Sequence, residues 1–153
     1  RYGAGCAEYG RRRLQDFAGA ARLDELAGRV VAGVDATGLA LFAGWRAEPL
    51  PADVAGRVFV LMHVLRELRG SVHLLAVVAS GLKPVEAVLA TGGEENARRF
   101  GWPEPFPAVG PQAKEQAEAL TDEILAGLYA QVLSADEAQE LVALVTALRE
   151  HLA

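Results

Sequence analysis

Leu61, Leu65, Leu68, Val72 and Leu75 recur at steps of three and four, the spacing that puts side chains on one face of an α-helix. His63, Arg66, Glu67, Gly70 and His73 recur at the same steps and form a second, polar stripe, with Arg69 beside it. After this helix comes Ser80-Gly81-Leu82-Lys83-Pro84. Glycine stops a helix by taking the left-handed conformation, and proline suits the first position of the next one. Residues 61–92 therefore read as helix, turn, helix.

The same reasoning divides the rest of the chain. Residues 4–19 and 22–34 read as two amphipathic helices joined by small residues, and 37–46 as a third with Leu39, Leu41, Phe42 and Trp45 apolar. Glu48-Pro49-Leu50-Pro51 ends it, because two prolines forbid continuation. The long helix starts near Ala52, with Asp53 favourable in its first turn, and runs to about Arg69. Gly70-Ser71 is read as a kink or a break before 72–80. The helix after the turn ends at Gly92-Gly93, a further turn covers Glu94–Phe100, and Gly101-Trp102-Pro103-Glu104-Pro105-Phe106-Pro107 is a loop. Residues 111–132 carry Ala117, Leu120, Ile124, Leu128 and Val132 at helical spacing. Ser134-Ala135-Asp136-Glu137 then spells a capping box, followed by a helix with Leu141, Val142, Val145, Leu148 and Leu152 on one face. Tyr2, Tyr9 and Phe17, at helical spacing, are expected to make core contacts or a contact to whatever preceded Arg1.

Composition narrows the class. The chain has 153 residues and is 52% hydrophobic but only 7% aromatic, a mix that favours closely packed helices over strands. One helical domain, 1–153, is the expected organisation. Because the first residue is Arg1, the chain is read as a fragment without its native N-terminus. A lone cysteine, Cys6, permits no internal disulfide and gives no metal-ligand spacing, and the default compartment is the cytoplasm. No apolar run approaches the ~18–20 residues that span a bilayer, so no membrane partner is expected.

The net charge of −5 is unevenly placed: residues 101–153 carry two basic and nine acidic side chains. Acidic surface repels phosphate, so any contact with nucleic acid has to use the first hundred residues. The helix after the turn offers Lys83, Pro84, Val85, Glu86, Val88, Leu89 and Gly92, one lysine against a glutamate and apolar side chains. Bases are read mainly by Arg, Lys, Asn and Gln. Arg98 and Arg99 add basic charge further on, after Glu94 and Glu95. Specific reading of DNA is disfavoured on these grounds.

The polar stripe admits two readings that the sequence leaves open. Arginines can hold a carboxylate, histidines can donate, accept or move protons near neutral pH, and Gly70 allows close approach. The same residues can also be a face of interhelical salt bridges. Ten residues separate His63 from His73, and neither has a partner at metal-binding spacing. Ser71 and Ser80 lie in no nucleophile elbow. No cofactor is named by any motif.

The order of an early helix pair, a helix-turn-helix around VHLLAVVASGLKPVEAVL, and the pair LTDEILAGLYAQVLSADEAQELVALVTALREHL resembles the MarR-type winged-helix regulators. Within them it is most similar to an actinobacterial family of MarR-like helix-turn-helix proteins, which carry Arg-x-x-Arg-Gly followed by a histidine. Here that run is Arg66-Glu67-Leu68-Arg69-Gly70-Ser71-Val72-His73. The resemblance covers roughly residues 25–152. It implies a homodimer joined through the terminal helices, a ligand pocket near that contact, and a β-hairpin wing after the recognition helix. The sequence departs at the wing, since FGWPEPFPAVGP shows neither strand alternation nor a hairpin turn.

The expectation is an all-α, MarR-like helix-turn-helix fold with a degenerate wing, its helix-turn-helix region at 52–100 and its dimerisation helices at 111–152. The expected function is binding of a small molecule, apolar with one acidic or polar group, by His63, Arg66, Arg69 and His73 under the Trp102 loop. The alternative is a MarR-type DNA-binding regulator using Lys83, Arg98 and Arg99. A lesser alternative, an enzyme with His73 as general base, lacks a visible oriented partner.

Overall fold

Among the described residues, 2–153, the computed structural model has seven helices and no strand. They are α1 (Tyr2–Arg13), α2 (Ala20–Gly33), α3 (Ala40–Arg46), α4 (Val54–Ala79), α5 (Pro84–Arg99), α6 (Pro111–Ala130) and α7 (Ala135–Leu152). Arg1, on which the fragment reading rests, lies outside the described residues. The chain divides into two compact units, one from Arg1–Ser71 and Ala126–Ala153, the other from Val72–Leu125.

The first unit holds the larger core. Leu14, Leu23, Leu26, Val30, Phe42, Val58, Leu61, Val64 and Leu68 are fully or almost fully buried there. Helices α1 and α4 cross without room for side chains. A Cβ on Gly10 would lie 2.4 Å from the Ala55 carbonyl oxygen and 2.8 Å from Phe59 Cβ. Gly56, from the other helix, would meet the Ala7 carbonyl at 3.3 Å. Helix α1 stops at Arg13, six residues before the expected end, because Leu14 turns into the core and the chain must pass Gly19. That glycine is boxed in by Leu144 and Phe17.

Helix α4 is continuous through Gly70-Ser71, against the expectation of a break there. Ser71 is buried, and its hydroxyl accepts the Phe42 amide at 3.2 Å, an N–H that the start of α3 leaves unpaired. The serine caps a neighbouring helix.

Helices α2 and α7 are tied by charge. Arg29 donates to both carboxylate oxygens of Glu137 and to the Val132 carbonyl, and Arg22 bridges Glu25 and Glu140. Glu137 also closes the capping box at Ser134 that the sequence spells. The Arg29 guanidinium and the Ser134 amide hold its carboxyl down at about 2. On α7, Leu141 and Leu148 are buried while Val142 and Val145 are exposed, so its apolar face is narrower than expected. Tyr2 and Tyr9 are exposed: the Tyr2 ring makes a T-shaped contact with Trp45, and the Tyr9 ring lies tilted against Phe59.

The second unit packs Val77, Leu82 and Ala117 together, with Ala87 and Val109 against them. Leu75, expected on the apolar stripe, is exposed. Among the described residues no single helix is long and apolar enough to cross a membrane.

Candidate functional site

Backbone hydrogen bonds shape the turn between α4 and α5. Leu82 N–H donates to the Val77 carbonyl at 3.1 Å and Gly81 N–H to Val78 at 3.0 Å, with Gly81 at φ 73°. This is the paired closure that ends a helix on a left-handed glycine, and the Leu82–Val77 apolar contact completes it. Pro84 then opens α5, the Glu86 carboxylate accepts the Lys83 N–H at 2.7 Å, and the two helix axes bend by 113°. The bend lies in the range of helix-turn-helix motifs. Helix α5 is itself two pieces, broken at Gly93 (φ 67°, ψ −171°), in agreement with the stop read at Gly92-Gly93.

Beside this turn lies a cleft of about 430 Å³, lined mainly by Leu74, Val77, Val78, Leu82, Val88 and Phe100. Its polar lining is His73, Thr91 and Asn96. Val78 and Phe100 at the rim are 73% and 67% exposed, a large apolar outlay for a surface. His73 is half-buried, and its Nδ1 stands 3.0 Å from Thr121 Oγ1. The threonine hydroxyl spends its proton on the Ala117 carbonyl, at 2.6 Å, so it can only accept from the ring. Nδ1 therefore carries a proton, and in the neutral ring Nε2 is left as a bare acceptor.

The expected ligand residues fall into the two units. His63, Arg66 and Arg69 lie in the first, His73 and Trp102 in the second. His63 and Glu67 are almost buried, while the Arg66 side chain is 75% exposed and donates to the Glu67 carboxylate. Arg69 is exposed. Of the five, His73 alone is among the residues lining the cleft. Trp102 is held by a helix stop: its N–H donates to the Ala97 carbonyl at 3.0 Å, with Gly101 at φ 81°. Thr121, Asn96 and Phe100 were not among the expected residues. A lone threonine between Ala117 and Ile124, on the apolar face of α6, is the sequence mark from which the first could be found.

A family model described as a helix-turn-helix family matches residues 1–106. The chain belongs to this family. No curated protein and no solved structure matches it. In this helix-turn-helix protein the cations at the second helix meet different surroundings. Lys83 and Arg99 are exposed, but Arg98 donates to Glu94 at 2.7 Å and to Glu104 at 2.6 Å and lies over the Phe106 ring. Those contacts also tie the 101–107 loop back onto α5. Among the described residues no three His, Cys, Asp or Glu side chains are placed to hold a metal ion.

Proposed function

We propose that this helix-turn-helix protein binds a small, mainly apolar molecule in the α4–α5 cleft, with His73 as its polar anchor. The observation that carries the reading is the hydrogen-bonded chain from Ala117 through Thr121 to His73, at the edge of an apolar cleft of ligand size. A fixed imidazole orients a ligand; a free one only solvates it. On this reading the scaffold is a MarR-like one without a wing, dimerised through α6 and α7, and its DNA reading is weakened because Arg98 is committed to carboxylates. His63, Arg66 and Arg69 then serve the fold of the first unit.

The test uses the dye 1-anilinonaphthalene-8-sulfonate. Saturable binding of about one dye per chain, abolished by Val88→Trp and weakened by His73→Ala, supports the cleft. Absence of saturable binding, or binding indifferent to Val88→Trp, overturns it.

Family membership favours a second reading, a regulator that binds duplex DNA through α5 with Lys83, Arg98 and Arg99 on phosphates. Binding of mixed-sequence duplex that persists at physiological salt and weakens steeply as salt rises would favour this reading over weakened DNA reading.

A further inference from the structure

The α4–α5 cleft has a hydrogen-bonding sense as well as a shape. Its polar lining is His73, Thr91 and Asn96, and no lysine, arginine or carboxylate is among the described residues around it. Thr91 Oγ1 donates its one proton to the Ala87 carbonyl at 2.7 Å, one turn back on α5, so it has only lone pairs left to offer. His73 Nδ1 gives its proton to Thr121, whose own hydroxyl is committed to Ala117. Were the threonine proton turned to the imidazole instead, oxygen lone pairs would face each other across 2.6 Å. The other ring nitrogen, Nε2, has no partner among the described residues and is not sealed from solvent.

His73 and Thr91 are thus both acceptors when the ring is neutral. Asn96 does not discriminate: its amide carries both kinds of group, and its nitrogen lies over Gly92, where a Cβ would stand 1.8 Å away. A ligand O–H or N–H bonded to Nε2 extends a chain that runs one way, from ligand to His73 to Thr121 to the Ala117 carbonyl. Bonds aligned in one sense polarise and strengthen each other. A ligand carboxylate or ether oxygen meets lone pairs instead. The carboxylate also gives up its hydration with no lining cation to replace it, and it binds only with an added proton on the ring. Lys114 does not alter this: it lines a separate small hole beside His73 and Thr91, together with Glu118, and donates to the Ala90 carbonyl.

We infer that the cleft selects an uncharged apolar molecule bearing one hydroxyl or N–H donor, and discriminates against its ether and carboxylate counterparts. His73 Nε2 sets the choice, and Thr91 offers a rejected oxygen nothing in exchange. The selection rests on the reading of the α4–α5 cleft as a ligand site and adds to it the chemistry that the ligand carries.

Three probes of similar size separate the possibilities at about pH 8, where an ordinary histidine is neutral. They are 2-naphthol, 2-methoxynaphthalene and 2-naphthoate, each measured by calorimetry. Naphthol is expected to bind about ten-fold or more tightly than either of the others, the worth of one hydrogen bond to an otherwise unpaired group. The ether is more apolar than naphthol, so burial alone would favour the ether. In His73→Phe, which keeps a ring but removes the acceptor, the advantage of naphthol over the ether should disappear. Equal affinities, tighter binding of naphthoate, or an advantage that survives His73→Phe overturns the selection. If that binding is still abolished by Val88→Trp, the cleft itself remains a ligand site. Binding of none of the probes, nor of the dye, removes the cleft reading and the selection with it. Should His73→Phe fail to fold, the His73 Nε2 nitrogen resonance of the parent protein decides the matter. It moves when Nε2 accepts a hydrogen bond from naphthol, and an unmoved resonance overturns the selection.

Discussion

His73 and Thr121, 48 residues apart, meet through Nδ1 and Oγ1 at 3.0 Å, and the hydroxyl donates its own hydrogen bond to the Ala117 carbonyl. Thr121 is fully buried, so replacing it with valine keeps the volume and removes the acceptor. The ring N–H is then left without its partner, and Thr121→Val is expected to destabilise the fold by about 1–3 kcal/mol. The urea midpoint measures this. Dye affinity should fall as well, since the imidazole is no longer fixed.

The crossing of α1 and α4 supplies a paired prediction. Gly10→Val drives a side chain into the Ala55 carbonyl and is expected to cost about 1–3 kcal/mol by overpacking. Gly28, inside α2, has nothing within 4 Å of where a Cβ would stand. Gly28→Ala should stabilise the protein by about 0.5–1 kcal/mol through helix propensity. Thermal melts of the two variants should move in opposite directions.

Ionisation of Glu137 makes stability depend on acid. Its carboxyl sits at about 2 against an ordinary 4.5, lowered first by the Arg29 hydrogen bond and then by the Ser134 amide. A lowered carboxyl contributes stability that is complete above the ordinary value and is lost as pH falls toward the lowered one. Unfolding followed between about pH 5 and pH 2 should show this loss in the parent protein. In Glu137→Gln the slope should be shallower over the same window, with lower stability at neutral pH.

Arg98 is held by Glu94 and Glu104. Glu94→Gln with Glu104→Gln removes two negative charges and frees the guanidinium. Binding to mixed-sequence duplex, read by fluorescence anisotropy, should tighten and its salt dependence steepen. If affinity does not change, the pairing of Arg98 is not what limits contact with phosphate.

The parts of the fold legible in the sequence are those written in local chemistry. Gly81 and Pro84 mark the turn, Gly93 the break in α5, and Ser134 with Glu137 the start of α7, because each acts through its own backbone neighbourhood. Helix α1 ran short and α4 ran whole for reasons that lie elsewhere in the chain: Gly19 against Leu144, and Ser71 under Phe42. The polar stripe was visible as a stripe, yet periodicity does not tell which neighbours it meets. Only the packed structure separates His63, enclosed by Tyr2 and Trp45, from His73, which adjoins the cleft.

The break in α5 is, at bottom, a matter of handedness. Gly93 takes the mirror image of an ordinary extended conformation, a region where an L-side chain strains and a D-side chain rests. A chemically made chain with D-alanine at 93 should keep both halves of α5 at their present angle. L-alanine there would instead press the two halves toward one continuous rod, redirecting everything from Glu94 to the loop beyond it.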